Sequence, residues 1–340
     1  VEKKESSSLI CTTQGFSFMP PPVFRTPNSE LRTPNSELRT PTLISHLYFH
    51  IPFCHRICPY CSFYKHTPGG TDMGAFVQAL LKEVELHQQS IPLQPRTLYF
   101  GGGTPTALSE SNLALLLEGL TKRLDLSQLE EFSLEANPKT IGPSKAKLLH
   151  AHGVTRISLG IQAWDSKILQ LLGRDHQPEE AEETFHELRD AGIPSLNVDQ
   201  MFSIPGLTMD LWCAGLERTL ALKPDHISCY NLTYEEDTEF LTRLRSKELD
   251  ASQDRDAEHF YAAVDRLTAA GFEHYETSNY ARPGHRSRHN QSYWKGADYL
   301  GLGPSAVTTH ERVRWKNVPD TARYVSSIQE GSIPKTEIEH

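Results

Sequence analysis

The sequence predicts an α/β protein built as an open, partial (β/α)6 barrel, and three observations lead there. From residue 46 onward, six short apolar runs alternate with amphipathic stretches of helical length. The polar residues of those runs gather at their carboxyl ends. A close cysteine triplet follows the first run directly. Short apolar strands separated by helices imply βαβ units and a parallel sheet. Six units fall short of the eight of a closed barrel.

Residues 47–51 form the first strand, β-branched and aromatic, and a helix is expected over 73–89. Residues 97–101 make the second strand, which opens into Gly101-Gly-Gly-Thr-Pro105 before a helix over 109–124. The third strand, 131–136, places Glu135 near its end, and the fourth, 156–162, ends on Gln162. Helices over 144–152 and 178–191 flank that fourth strand. Asp199 sits late in the fifth strand, 195–202, and Thr233 follows the sixth, 226–232, with a helix over 209–222 between them. Further helices are expected over 235–247 and 254–270. Barrel enzymes place their chemistry at the carboxyl ends of strands, so six elements aim polar groups at one rim.

Lys and Arg number 34 against 43 Asp and Glu, a net charge of −9, which speaks against a broad nucleic-acid surface. No apolar stretch approaches the ~20 residues of a membrane span. Val1-Glu-Lys-Lys-Glu5 has no apolar core behind it, so no secretory signal is read there. The expectation is a cytoplasmic protein with reduced thiols. Arg25-Thr-Pro-Asn-Ser-Glu-Leu31 is repeated at once as residues 32–38, and a third copy begins at Arg39. Each unit carries a proline, which blocks a helix interior and therefore any heptad seam. Residues 1–42 are expected to be a disordered tail, 43–270 the core barrel, and 271–340 an α+β extension.

Cys54, Cys58 and Cys61 are spaced C-x3-C-x2-C. Thiolates are soft ligands suited to iron–sulfur clusters and zinc. A cubane cluster normally takes four, and a loop offering three leaves one iron open to a ligand that is not protein. Zinc ribbons pair two C-x2-C units, and no second pair follows, although His55 or His66 stands near enough to complete a tetrahedral site. Cys11, Cys213 and Cys229 are scattered, so no disulfide framework is visible. The cluster fits best.

A lone triple glycine is usually a strand-to-helix turn, but one βα unit after the thiolate loop it can let a ligand approach the backbone closely. With that in view, the motifs resemble the radical S-adenosylmethionine (SAM) superfamily. They run Tyr48-x-His50-Ile-Pro-Phe-Cys54, Gly101-Gly-Gly-Thr-Pro105, Glu135-Ala-Asn-Pro138, Ser158-Leu-Gly-Ile-Gln162, Leu172-Gly-Arg174 and Asn197-Val-Asp199. In that order, over residues 46–325, they are similar to two sibling families, the oxygen-independent coproporphyrinogen III oxidases (HemN) and the heme chaperones (HemW). The oxidases carry a further cysteine two residues after the triplet, where this chain has Phe63, and a small alanine where Thr233 stands. His289-Asn-Gln-Ser-Tyr-Trp294 matches the H-N-x-x-Y-W motif of the chaperones.

The resemblance implies a [4Fe–4S] cluster on Cys54, Cys58 and Cys61, with Tyr48 packed near it. It implies SAM contacts from Gly102, Gly103, Thr104, Glu135, Gln162, Arg174 and Asp199. Carboxylates suit ribose hydroxyls, and Arg174 suits a carboxylate, although it could equally pair with a helix carboxylate while Asp199 caps a turn. His289 would ligate heme iron, with His285 as its rival, and the arginines of residues 282–288 would meet heme propionates. The expected function is a heme carrier delivering to an apo-hemoprotein client, with the oxidase activity as the alternative. A radical SAM enzyme acting on RNA is disfavoured by the acidic balance. The family normally continues into a small C-terminal domain, so a truncated extension is expected here.

Overall fold

Alternation of side chains along six strands sets the architecture. β1 (Ile44–Ile51), β2 (Leu93–Gly102), β3 (Glu131–Ala136), β4 (Arg156–Gln162), β5 (Ser195–Phe202) and β6 (His226–Asn231) run parallel, in sequential order. Leu47, Phe49, Leu98, Phe100, Leu134, Leu159 and Val198 are buried on one face. Successive strand residues point to opposite faces, so Tyr48, Tyr99, Glu135, Ser158, Asp199 and Tyr230 turn to the other. Right-handed crossovers between sequential strands put the connecting helices on one side, against the apolar face. The polar face is left to line a lumen. The computed structural model describes residues 42–339, so the tail and its repeats, apart from Thr42, lie outside the described residues.

The crossover helices start where the sequence supplies a cap. α1 (Met73–Gln88) begins after Asp72, whose carboxylate accepts the Ala75 amide at 3.0 Å. Ser109 caps α2 (Glu110–Arg123) in the same way. Such a cap contributes about 0.5–2 kcal/mol. α3 (Pro143–Ala151) opens on proline, whose missing N–H is unneeded in a first turn. The short α4 (Ser166–Leu171) was not legible in advance, being too brief for a helical period. α5 (Pro178–Asp190) opens on proline behind a Gln177/Glu180 capping box, and Thr208 caps α6 (Met209–Ala221). α7 (Glu239–Arg245) starts four residues later than expected, behind the cap Thr238, whose hydroxyl takes the Leu241 amide.

Beyond α8 (Gln253–Ala269) the chain returns to the sheet. β7 (Glu273–Glu276) and β8 (Asn279–Ala281) extend the β6 edge in antiparallel fashion. α9 (Arg288–Trp294) packs on β2 and β3, and β9 (Leu300–Leu302) joins β1 in parallel. The sheet therefore has nine strands rather than six, in the order β7-β8-β6-β5-β4-β3-β2-β1-β9. A second, antiparallel sheet holds β10 (Val307–His310), β11 (Val313–Asn317) and β12 (Lys335–Glu339), and α10 (Thr321–Gln329) packs on α1. One buried carboxylate ties these parts together. Glu83 of α1 accepts from the Gly303 amide at 2.8 Å, Asn317 Nδ2 at 2.6 Å and the Tyr324 hydroxyl at 2.5 Å. No helix among the described residues is long and apolar enough to cross a membrane.

Candidate cofactor site

The carboxyl ends of the strands surround a cavity of about 790 Å³, and ten of the twelve expected residues line it. Cys54, Cys58 and Cys61 share one wall. The Cys54 sulfur lies 3.7 Å from Thr104 Oγ1, and Arg174 Nη1 points at the Cys58 sulfur from 3.7 Å. Lys65 closes the loop by donating to the Cys61 carbonyl at 2.6 Å. Burial pushes the Cys54 thiol up to about 11 and raises that of Cys61, so both stay protonated until a cation arrives. Among the described residues, no group of three His, Cys, Asp or Glu side chains is set to hold a single metal ion. A cubane, whose irons each take one thiolate, needs no such convergence on one point.

Gly102 and Gly103 have a reason beyond ligand approach. Gly102 sits at φ +106°, and a β-carbon there would stand 2.5 Å from the His50 ring. One on Gly103 would lie 2.7 Å from the Pro52 carbonyl carbon. The loop is glycine-rich because it folds down on β1 and the residues that follow it.

Thr104 Oγ1 accepts from Asn137 Nδ2 at 2.8 Å, and Asn137 Oδ1 accepts from Arg174 Nη2 at 2.6 Å. Arg174 also donates to the Gly160 carbonyl at 2.6 Å, while its buried Nε has no partner. Among the described residues no carboxylate forms an ion pair with it, although Asp175 acts on it from further off, so it can still meet an anionic ligand group. Asn137 was visible in the Glu135-Ala-Asn-Pro138 motif without a role, and the structure makes it the bridge between the glycine loop and Arg174. Gln162 ends β4 in the left-handed region, φ 69°, which costs a non-glycine residue energy and is common at functional sites.

Glu135 accepts from the Tyr99 hydroxyl at 2.7 Å. Burial pushes its carboxyl up to about 7 against the hydrogen bonds from Tyr99 and the Gly102 amide, and the nearby Asp199 pushes the same way. Asp199 accepts from Ser158 Oγ and Asn197 Nδ2, each at 2.7 Å, and burial raises it too. Two reluctant carboxylates, one arginine in no ion pair and three thiols, with no fourth cysteine in the wall among the described residues, suit a ligand that is both cationic and carboxylate-bearing. The donor set therefore fits a cluster with one open iron and a SAM-like zwitterion. Tyr99, Met201 and Tyr230 also line the cavity, and nothing in a linear motif marked them.

Two expected residues are placed elsewhere. Tyr48 does not line the cavity; it stacks on Tyr99 with ring centroids 6.1 Å apart and bonds His50 at 3.1 Å. His289 is fully buried on α9, which lies over the amino-terminal halves of β2 and β3, at the floor of the lumen. Its Nδ1 bonds Thr97 Oγ1 at 2.7 Å and its Nε2 bonds the Tyr293 hydroxyl at 2.7 Å. Neither ring nitrogen is open to an iron in this arrangement. The neighbouring basic loop is engaged as well. Arg286 pairs with Glu273, Arg288 with Glu130, and Arg282 lies over the Phe272 ring. His285, the rival ligand, bonds Ser195 Oγ at 3.1 Å.

Known proteins resemble this chain in sequence and in fold. The model of the Radical SAM superfamily matches residues 48–213. The heme chaperone HemW of Lactococcus lactis subsp. lactis (strain IL1403) is 36% identical over 282 residues, covering 82% of this chain and 73% of that protein. The heme chaperone HemW of Bacillus subtilis (strain 168) is 33% identical over 291 residues, covering 84% and 76%. The solved structure of Escherichia coli coproporphyrinogen III oxidase HemN, a radical SAM enzyme, superposes with a TM-score of 0.77 at 23% identity, over 89% of this chain and 73% of that one, which establishes the common fold. Identity above 30% across three quarters of these chaperones places the chain in their family: it belongs to the HemW heme chaperones of the radical SAM superfamily.

Proposed function

We propose that this protein binds heme and hands it to an apo-hemoprotein, carrying a [4Fe–4S] cluster on Cys54, Cys58 and Cys61 and SAM in the adjoining cavity. The observation that carries the cofactor assignment is the meeting, in one cavity, of three thiols with an arginine held in no ion pair among the described residues and two buried carboxylates. Such a cluster supplies one iron free to chelate an amino acid. Thr104 and Asn137 orient the loop beside it, Arg174 meets the carboxylate, and Glu135 and Asp199 take hydroxyl or cationic groups. Reduced thiols suit the cytoplasm or a comparable reducing compartment.

Heme ligation is assigned to His289. Because both its nitrogens are bonded, the assignment includes a movement: α9 leaves the floor and exchanges the bonds to Thr97 and Tyr293 for one axial bond to iron. Phe63, 69% exposed beside the triplet, supports the chaperone over the oxidase, since no fourth thiol stands there. The test is transfer. Anaerobically reconstituted protein loaded with heme is mixed with an apo-hemoprotein, and the recipient's heme absorption is followed. Wild type should transfer its heme, and His289→Ala should show an altered heme spectrum and weaker retention. An unchanged spectrum in His289→Ala would defeat the ligand assignment, with His285→Ala as the control for the rival.

A further inference from the structure

We infer that His289, while α9 is seated on the floor of the lumen, is a positioning residue for Glu135, acting through Tyr99, so that this helix sets the geometry of a carboxylate on the SAM side. Two strands carry the link. Thr97 and Tyr99 lie two residues apart on β2, and Glu131 and Glu135 four apart on β3, so all four face the lumen. The lower member of each pair grips α9. Glu131 accepts the Arg288 amide at 2.8 Å and the His289 amide at 3.0 Å, while Thr97 holds His289 Nδ1 at 2.7 Å. His289 is thereby fixed at three points, its backbone by Glu131 and its imidazole by Thr97 and Tyr293.

The upper members make the site. The fixed imidazole stacks on the Tyr99 ring with centroids 5.0 Å apart and planes 26° apart, and Tyr48 stacks on the same ring. Tyr99 is the side chain that donates to Glu135. Gly101 leaves these groups room, because a β-carbon there would stand 2.9 Å from both Tyr99 Cε1 and Glu135 Oε1. Take away the ring beneath Tyr99 and its hydroxyl is no longer held against the carboxylate.

The inference rests on the reading of Glu135 as a SAM contact, and the experiment separates the two. Equilibrium SAM binding is measured on anaerobically reconstituted protein of equal cluster content. His289→Ala should weaken binding roughly two- to tenfold, the range expected of an aromatic pair. His289→Phe, which restores a ring without the hydrogen bonds, should bind SAM within about twofold of wild type. Tyr99→Phe should weaken binding alone, and adding His289→Ala to it should cost nothing further, since the link is already cut. If His289→Ala does not fold, His289→Gln, which has no ring, takes its place against His289→Phe. Equal losses in the Ala (or Gln) and Phe variants, or additive losses with Tyr99→Phe, would overturn the inference. Wild-type affinity in Glu135→Gln would overturn the reading beneath it. A loss there with none in the His289 variants overturns the inference alone.

Discussion

Replacing Cys54, Cys58 or Cys61 by alanine takes one of three thiols from the cavity wall, and among the described residues no spare cysteine can stand in, because Cys229 is buried in β6 and Cys213 lies on α6. Each variant should therefore lose iron, sulfide and the visible charge-transfer absorption, while Cys213→Ala keeps them. Full cluster content in any triplet variant contradicts the assignment. The glycines ask for a different choice of test. Gly102→Val would strike the His50 ring, so its effect on SAM binding would be mixed with damage to the fold. Glu135→Ala is cleaner. It leaves the backbone intact and should cost SAM binding about 1.5–3 kcal/mol by isothermal titration if the contact is charge-assisted.

Among the elements, α1 makes the sharpest prediction through Glu83. Burial holds its carboxyl up at about 7, outweighing the donors Tyr324, Gly303 and Asn317. The folded protein thus keeps that proton where the unfolded chain, near 4.5, has released it. Between those values the native state binds more protons, so this group's contribution to stability falls as pH rises and levels off above about 7. Glu83→Gln cannot ionise. Comparing urea unfolding of the two proteins from pH 4.5 to 8, the difference should move toward the variant by on the order of 3 kcal/mol. A difference that does not change with pH would show that Glu83 is ionised throughout.

The same elements show what a sequence can reveal. β3, β4 and β5 begin and end where alternation placed them, because each is a full-length strand with an apolar face against helices. β8 and β9 have three residues each, too few to alternate visibly, and they were missed together with α4. Most of the cavity was legible because its residues sit at strand ends, a position that periodicity predicts. Asn137 and Tyr99 act through side-chain partners, and the depth of His289 depends on where α9 returns to the sheet. Neither kind of information is local in sequence.

At the scale of the whole molecule, the lumen has two ends with different chemistry. The carboxyl end gathers thiols, Arg174 and buried carboxylates in about 790 Å³; the amino end is plugged by α9 with His289 inside it. A carrier and an oxidase on this fold differ in what they do to a porphyrin. The most direct test supplies anaerobically reconstituted protein with SAM and a reductant, then offers heme and coproporphyrinogen III in parallel. The account predicts stoichiometric heme binding that survives gel filtration, and coproporphyrinogen III recovered unchanged by chromatography. Formation of protoporphyrinogen, with no retained heme, would contradict it.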